Sequence, residues 1–221
     1  GENTAWVSLS KLSLRKNNIG EEGAKLLSKN TTWIQIHTFD LSHNKINDKG
    51  VEYLSSNNSW KNLQALYLQS NNISEKGAEY LIKNSSWINL ETLDLSSNTV
   101  GDKGAESLAS TVWTNLQLLN LSENRIGEIG AAALGSNKTW TQLKSLDLSI
   151  NKIGEKSAEY LSKNSTWTAL LTLNLSENQI SDRGAEHLSK NTTWTRLQTL
   201  DLSDNPIGAN GAAALGSNNT W

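Results

Sequence analysis

Leucine alternates with a polar residue in short runs, and the runs return at a fixed interval. Leu66-Tyr67-Leu68, Leu93-Asp94-Leu95 and Leu146-Asp147-Leu148 each put two apolar side chains on one face of a strand. The interval is marked by tryptophan, at 6, 33, 60, 87, 113, 140, 167, 194 and 221, spaced by 27 residues except for one step of 26. A period of about 20–50 residues predicts a solenoid of stacked units. An asparagine follows every strand, at 17, 44, 71, 98, 124, 151, 178 and 205. A turn asparagine buried between coils can serve backbone groups that would otherwise lack partners.

The second half of each unit predicts a short helix. It opens at Gly20, Asn47, Ser74, Gly101, Gly127, Gly154, Ser181 and Gly208, all favourable N-cap types. An acidic residue follows in seven of the eight units and complements the helix dipole. Pairs such as Ala131 and Leu134, three apart, give each helix a narrow apolar stripe. The helices end near Asn30, Asn57, Asn84, Asn137, Asn164, Asn191 and Asn218, a residue type that accepts the left-handed C′ conformation.

The run LxxLxLxxN, carried in full by Leu63, Leu66, Leu68 and Asn71, resembles the leucine-rich repeat. With Ile126, Gly127, Gly130, Ala131 and Leu134 in the helical half, it is most similar to the ribonuclease-inhibitor-like subclass. The resemblance covers Trp6 to Trp221. It departs from the usual pattern in its tryptophans, which stand where leucine is common, and in its Ser/Thr/Asn-rich turns. Those turns look more like bacterial members than vertebrate ones. The resemblance implies an α/β fold: a right-handed solenoid or horseshoe with a parallel sheet on the concave face and helices on the convex face.

One unit cannot bury enough apolar surface to offset the entropy of ordering its residues, so neighbouring units must complete the core. Parallel strands sit about 4.8 Å apart and helices about 8–10 Å, which bends the stack by roughly 20–25° per repeat. The expected layout is a tail at 1–5 and eight repeats of 26–27 residues over 6–221, without distinct caps. Uncapped ends predict exposed core and end-to-end contact between copies. There is no Met, even at position 1, so the chain reads as a piece of a longer one. Three irregularities predict local repacking: the residue missing before Trp113, Ser157 in place of glycine, and Ile36 with Phe39 in place of leucine.

Composition narrows the function. Hydrophobic residues make up 36%, mean hydropathy is −0.50, and no apolar run is long enough to cross a membrane or form a secretory leader. Net charge is −2, which argues against a nucleic-acid partner. The absence of cysteine excludes disulfides and thiolate chemistry. His37 and His43 share a strand region and His187 lies five units away, so the three cannot hold one metal. Asp40, Ser42 and His43 lie close together, but nothing resembles an oxyanion hole, and no phosphate loop occurs. Asn-x-Ser/Thr sequons such as Asn30-Thr31-Thr32 and Asn164-Ser165-Thr166 recur because the turn recurs. The tryptophans hold one phase and predict a packed spine.

What varies on the inner face carries the function. The strand centres are Ser13, Asp40, Tyr67, Asp94, Asn120, Asp147, Asn174 and Asp201, expected to form a solvated polar ladder. Lys11, Arg15 and Lys16 make a basic rim in the first unit. The later units carry Lys144 against eight acids, a net of −7. Such a wall repels nucleic acid and anionic membrane and suits a protein with a basic surface. Tyr67, Leu118, Ile150 and Leu171 stand out as apolar anchors within that polar setting, with Leu118 and Ile150 expected on neighbouring strands. The expectation is a non-enzymatic protein-binding module using these ten residues (Asp40 through Asp201, with the anchors) and no cofactor. The competing reading is a passive assembly domain that associates through its ends. The expected setting is the cytoplasm, or a host cytosol reached by a secreted effector.

Overall fold

The computed structural model describes residues 6–221; the tail expected at 1–5 lies outside them. Eight three-residue strands alternate with eight helices. They are β1 (Lys11–Ser13), α1 (Gly20–Ser28), β2 (Thr38–Asp40), α2 (Asn47–Ser55), β3 (Ala65–Tyr67), α3 (Glu75–Leu81), β4 (Thr92–Asp94) and α4 (Gly101–Ala109). The second half repeats the order: β5 (Leu118–Asn120), α5 (Glu128–Gly135), β6 (Ser145–Asp147), α6 (Glu155–Ser162), β7 (Thr172–Asn174), α7 (Asp182–Ser189), β8 (Thr199–Asp201) and α8 (Ala209–Gly216). All strands pair in parallel in sequence order, and each helix packs only on its sequence neighbours. The sheet is the layer of closer spacing, so it takes the inner side of the curve.

The core is one continuous column from Ala24 to Trp194. Each strand's middle residue, such as Leu93, Leu119 or Leu146, points into it, and the leucine two positions on does the same. Trp33 through Trp194 are buried in that column, and only Trp6 is exposed. This fits the expected spine. Phe39 fills the second coil by standing edge-on to Trp33 and Trp60, with centroids 6.5 and 5.3 Å away. Ser157 is buried where the other coils carry glycine. In the first and last coils, Leu12, Leu14, Leu200 and Leu202 are only partly buried, since a neighbour covers them on one side only.

The strand-end asparagines form the expected ladder. In the second and third coils, Asn71 Nδ2 donates to Leu41 O at 2.9 Å and Gln69 O at 3.1 Å. Its Oδ1 accepts from Asn44 N and Ile46 N at 3.0 and 3.1 Å. One carboxamide thus satisfies backbone groups of two coils, as a buried amide must.

The helix-end asparagines depart from the expectation. None takes the left-handed conformation. They form a second ladder instead. Asn164 Nδ2 donates to Gly135 O and Asn137 O of the preceding coil, at 2.9 and 3.0 Å, while its Oδ1 accepts from Thr166 N and Trp167 N. Thr111 breaks this ladder in the short unit, and its Oγ1 accepts from Trp140 Nε1 at 3.2 Å. The indoles of Trp33, Trp60, Trp87, Trp167 and Trp194 have no such acceptor.

The helix starts also differ from the expectation. Gly20, Asn47 and Gly101 take positive φ and lie inside their helices. Asn47 still caps, since its Oδ1 accepts from Lys49 N and Gly50 N. The acidic residue that follows acts across coils. Asp48, Asp102 and Asp182 each accept two backbone N–H groups from the next helix start. Glutamates at this position reach further out, and Glu75, Glu128 and Glu155 pair with Lys103, Lys156 and Arg183.

Candidate functional site

The residues expected at the strand centres instead close their strands, each being the third and last residue with an apolar residue of the core face before it, and they stand in one register across the sheet. Ser13 pairs with Asp40, Asp40 with Tyr67, Tyr67 with Asp94, and so on through Asn120, Asp147 and Asn174 to Asp201. The residue two steps earlier in each strand, its first, forms a parallel outer row, which includes Leu118.

The acids of this row are more ordered than a solvated ladder. From Asp40 to Asp201 they are only partly exposed. Asp94 Oδ1 accepts from Ser96 N at 2.9 Å and from Ser96 Oγ at 2.6 Å. Asp147 with Ser149, and Asp201 with Ser203, repeat the arrangement. Asn120 with Ser122, and Asn174 with Ser176, do so with a carboxamide oxygen. These are side-chain turns that fix the χ angles of the row. At Asp201 the Ser203 hydroxyl and then its N–H hold the carboxyl below the usual carboxylate range. The serines are hydrogen-bonding partners of the row that the strand reading missed. Their signal was present, as a constant Ser two residues after each Asp or Asn of the row.

One carboxylate oxygen of each aspartate is spent on its turn, and the second is available for lateral contacts. Asp40 Oδ2 accepts from Ser13 Oγ at 3.1 Å, and Asp147 Oδ2 from Asn174 Nδ2 at 3.2 Å. Asp40, Tyr67 and Asp94 meet in a depression of about 470 Å³ that also takes in Lys11, Ser13 and Arg15. Arg15 reaches across two strands to Gln69 Oε1 at 3.2 Å. The basic rim therefore borders the acidic row directly at this end.

The apolar anchors are dispersed. Leu118 lies on the sheet and Leu171 just before β7, where it is half-buried. Ile150 is not on a strand. It occupies the turn after β6 with φ 53°, exposed, in a rim notch with Glu123, Arg125 and Lys152. Every coil has a left-handed residue at this turn, and Ile150 is the one β-branched example. Among the described residues, no group of His, Asp or Glu is placed to hold a metal ion. Among the same residues, no helix is long and apolar enough to cross a membrane.

A family model described as Leucine Rich repeat matches the chain eight times, at 7–28, 36–55, 61–81, 88–109, 114–135, 141–162, 168–189 and 195–216. No curated protein sequence matches at a significant level. Among solved structures, the fold is similar to a plant peptide hormone receptor, RGFR1 in complex with RGF2, at 22% identity and a TM-score of 0.53. That match covers 91% of this chain and 33% of the receptor, so the chain spans about a third of the receptor's length. With eight matches falling on eight coils, this chain belongs to the leucine-rich repeat family.

Proposed function

We propose that the chain is a protein-interaction module whose sheet face binds a protein with a basic surface. The observation that carries this reading is the in-register row Asp94, Asn120, Asp147, Asn174 and Asp201, each held by its own serine. Fixed acceptors lose little side-chain freedom on binding, so their charge steers and orients a partner at low entropic cost. Tyr67 supplies apolar area within the row, Leu118 and Leu171 supply it beside the row, and Ile150 supplies it at the rim. The neighbouring receptor's complex with RGF2 supports the general role. The Ile-Gly-x-x-Gly-Ala-x-x-Leu half of the unit supports a ribonuclease-inhibitor-like subclass, and its Ser/Asn-rich turns support a bacterial source.

The row offers its own control. Asn120 and Asn174 make the same serine turn as the aspartates, so Asp94→Asn, Asp147→Asn and Asp201→Asn together remove charge and keep structure. Avidin-captured partner candidates should bind the triple variant at least tenfold more weakly and with a shallower salt dependence, at unchanged melting temperature. Unchanged affinity and salt slope refute the reading.

A second reading is self-assembly through the repeat ends, favoured by the partly buried Leu12, Leu14, Leu200 and Leu202. Light scattering of versions with a polar capping coil added at each end separates the two. Assembly predicts loss of the larger species on capping, whereas partner binding on the sheet face is indifferent to it.

A further inference from the structure

The sequons left over from the sequence acquire a meaning in the second asparagine ladder. Asn57, Asn84, Asn137, Asn164 and Asn191 each open an Asn-x-Ser/Thr sequon, and each is at most 5% exposed. An N-linked glycan attaches at Nδ2 and replaces one of its two hydrogens. In Asn57, Asn84, Asn164 and Asn191 both hydrogens are already spent on carbonyls of the preceding coil, at 2.7–3.3 Å. Asn137 makes one such bond, to Ala109 O at 2.8 Å, and a second to Thr139 Oγ1. Asn30 and Asn218 hold the same place in the end coils.

The hydroxyl residue two positions on belongs to the same device. Its N–H donates to the asparagine Oδ1, as from Thr166 to Asn164 at 2.9 Å. Thr139, Thr166 and Thr193 also donate their Oγ1 to a carbonyl of the preceding coil. The sequon is therefore the by-product of a turn that joins coils. The contrast is Asn72-Ile73-Ser74. Asn72 is exposed on the rim, with φ 60°, and its carboxamide makes no hydrogen bond.

We infer that the coil-end sequons are closed to N-glycosylation in the folded array, and that a glycan added to them before folding bars the coils from stacking. The array therefore folds where N-glycosylation does not reach the nascent chain. Outside the ladder, Asn120-Leu121-Ser122 and Asn174-Leu175-Ser176 are half-buried sequons on the sheet face, and Asn72 is the exposed one that the folded array tolerates when modified. The burial needed at the ladder leaves no path for a sugar from Nδ2 to solvent without breaking bonds between coils.

The test is to fuse a secretory leader to the full chain and express it in mammalian cells with and without tunicamycin. The same chain made in a bacterial cytosol sets the protease resistance of the folded state. Without the inhibitor, we expect glycans on the ladder asparagines by mass mapping and rapid tryptic degradation. With it, resistance should return to the bacterial reference. A second variant carries T32A, S59A, S86A, T139A, T166A, T193A and T220A, which removes these sequons but keeps every ladder asparagine, together with N120D and N174D, which remove the two sheet-face sequons. It should resist trypsin without the inhibitor and carry a glycan at Asn72. The inference is overturned by a resistant chain glycosylated at Asn84 or Asn164, or by one resistant with those sites empty. Sensitivity that persists under tunicamycin overturns it too. If the substituted variant fails to fold in the bacterial cytosol, the inhibitor arm decides alone.

Discussion

Asp102 Oδ1 lies 2.9 Å from the backbone nitrogen of Gly130 and accepts its N–H, as it does that of Gly127 at 2.7 Å. A carboxylate of one coil thus closes the helix start of the next. The approach also explains the glycine. A Cβ on Gly130 would come 2.8 Å from that oxygen, 2.8 Å from Ile126 Cγ2 and 3.1 Å from Ala105 Cβ. Asp102→Ala should lower unfolding free energy by about 2 kcal/mol, the scale of hydrogen bonds to a charged acceptor. Gly130→Ala should lose at least as much. Asp102→Glu should lose about 1 kcal/mol, since the coils with glutamate here do not use it as a cap. It gains no ion pair in return, because Ile129 occupies the place of Lys156 and Arg183. Urea titrations of the variants check the order, and adding Ile129→Lys to Asp102→Glu should restore only a few tenths.

Asn71 serves two interfaces, as Asn44 and Asn98 do, which makes it one of the costly polar side chains to alter. Asn71→Ala leaves carbonyls and N–H groups of two coils unpaired in a fully buried turn, which should remove about 3 kcal/mol. Asn71→Asp keeps the shape but faces Leu41 O with an acceptor where a donor stood, and it buries a charge. Its loss should exceed that of alanine at pH 7. At Asn17 no preceding coil is described for the carboxamide to serve, and its donors stay within the coil, on Leu14 O and Arg15 O. Asn17→Ala should cost less than half as much. Native-state hydrogen exchange around residues 41–47 and 69–73 should speed up for the Asn71 variants, and equal losses at Asn17 and Asn71 would contradict the two-coil account.

In the short unit, Thr111 stands where other coils have asparagine, and it is the one residue there that gives a buried indole its acceptor. Thr111→Val keeps the volume and removes the hydroxyl. It should cost about 1 kcal/mol, and the Trp140→Phe background should absorb most of that cost in a double-mutant cycle. An additive cycle would show that the hydroxyl acts elsewhere.

The periodic part of the molecule was legible because period and packing are the same fact. A tryptophan every 27 residues and Leu-x-Leu at one phase already place the column and the strands, down to the register of Asp94 against Asn120. What stayed hidden depends on which coil a polar side chain serves. Asp102 reads as a dipole partner of its own helix, and only the stack shows that its nearest N–H groups belong to the next one. Asn164 reads as a helix terminator, because a single unit contains no preceding carbonyls for it to bind. Ile150 reads as a strand residue, because its left-handed φ is set by the turn and not by its own β preference. The aspartate row was legible as a row. Its fixed geometry was not, because the serines that fix it look like ordinary turn residues.

The turn between Asp201 and Ser203 gives the row a pH signature at its last strand. Two donors from Ser203 favour the ionised carboxyl, so its folded pKa lies below the unfolded one. The stabilising contribution is therefore fully present above the unfolded pKa and is lost as pH falls through the folded value. Asp201 is partly exposed and screened by solvent, so the contribution to unfolding free energy is at most a few tenths of a kcal/mol. The sharper readout is the titration itself. Ser203→Ala removes the hydroxyl donor, the first cause of the shift, and leaves the weaker backbone N–H. The Asp201 carboxyl carbon, followed by NMR, should then titrate at higher pH than in the parent. An unmoved midpoint would show that the hydroxyl does not hold the carboxylate, and would remove the geometric basis for treating the row as preset for a partner.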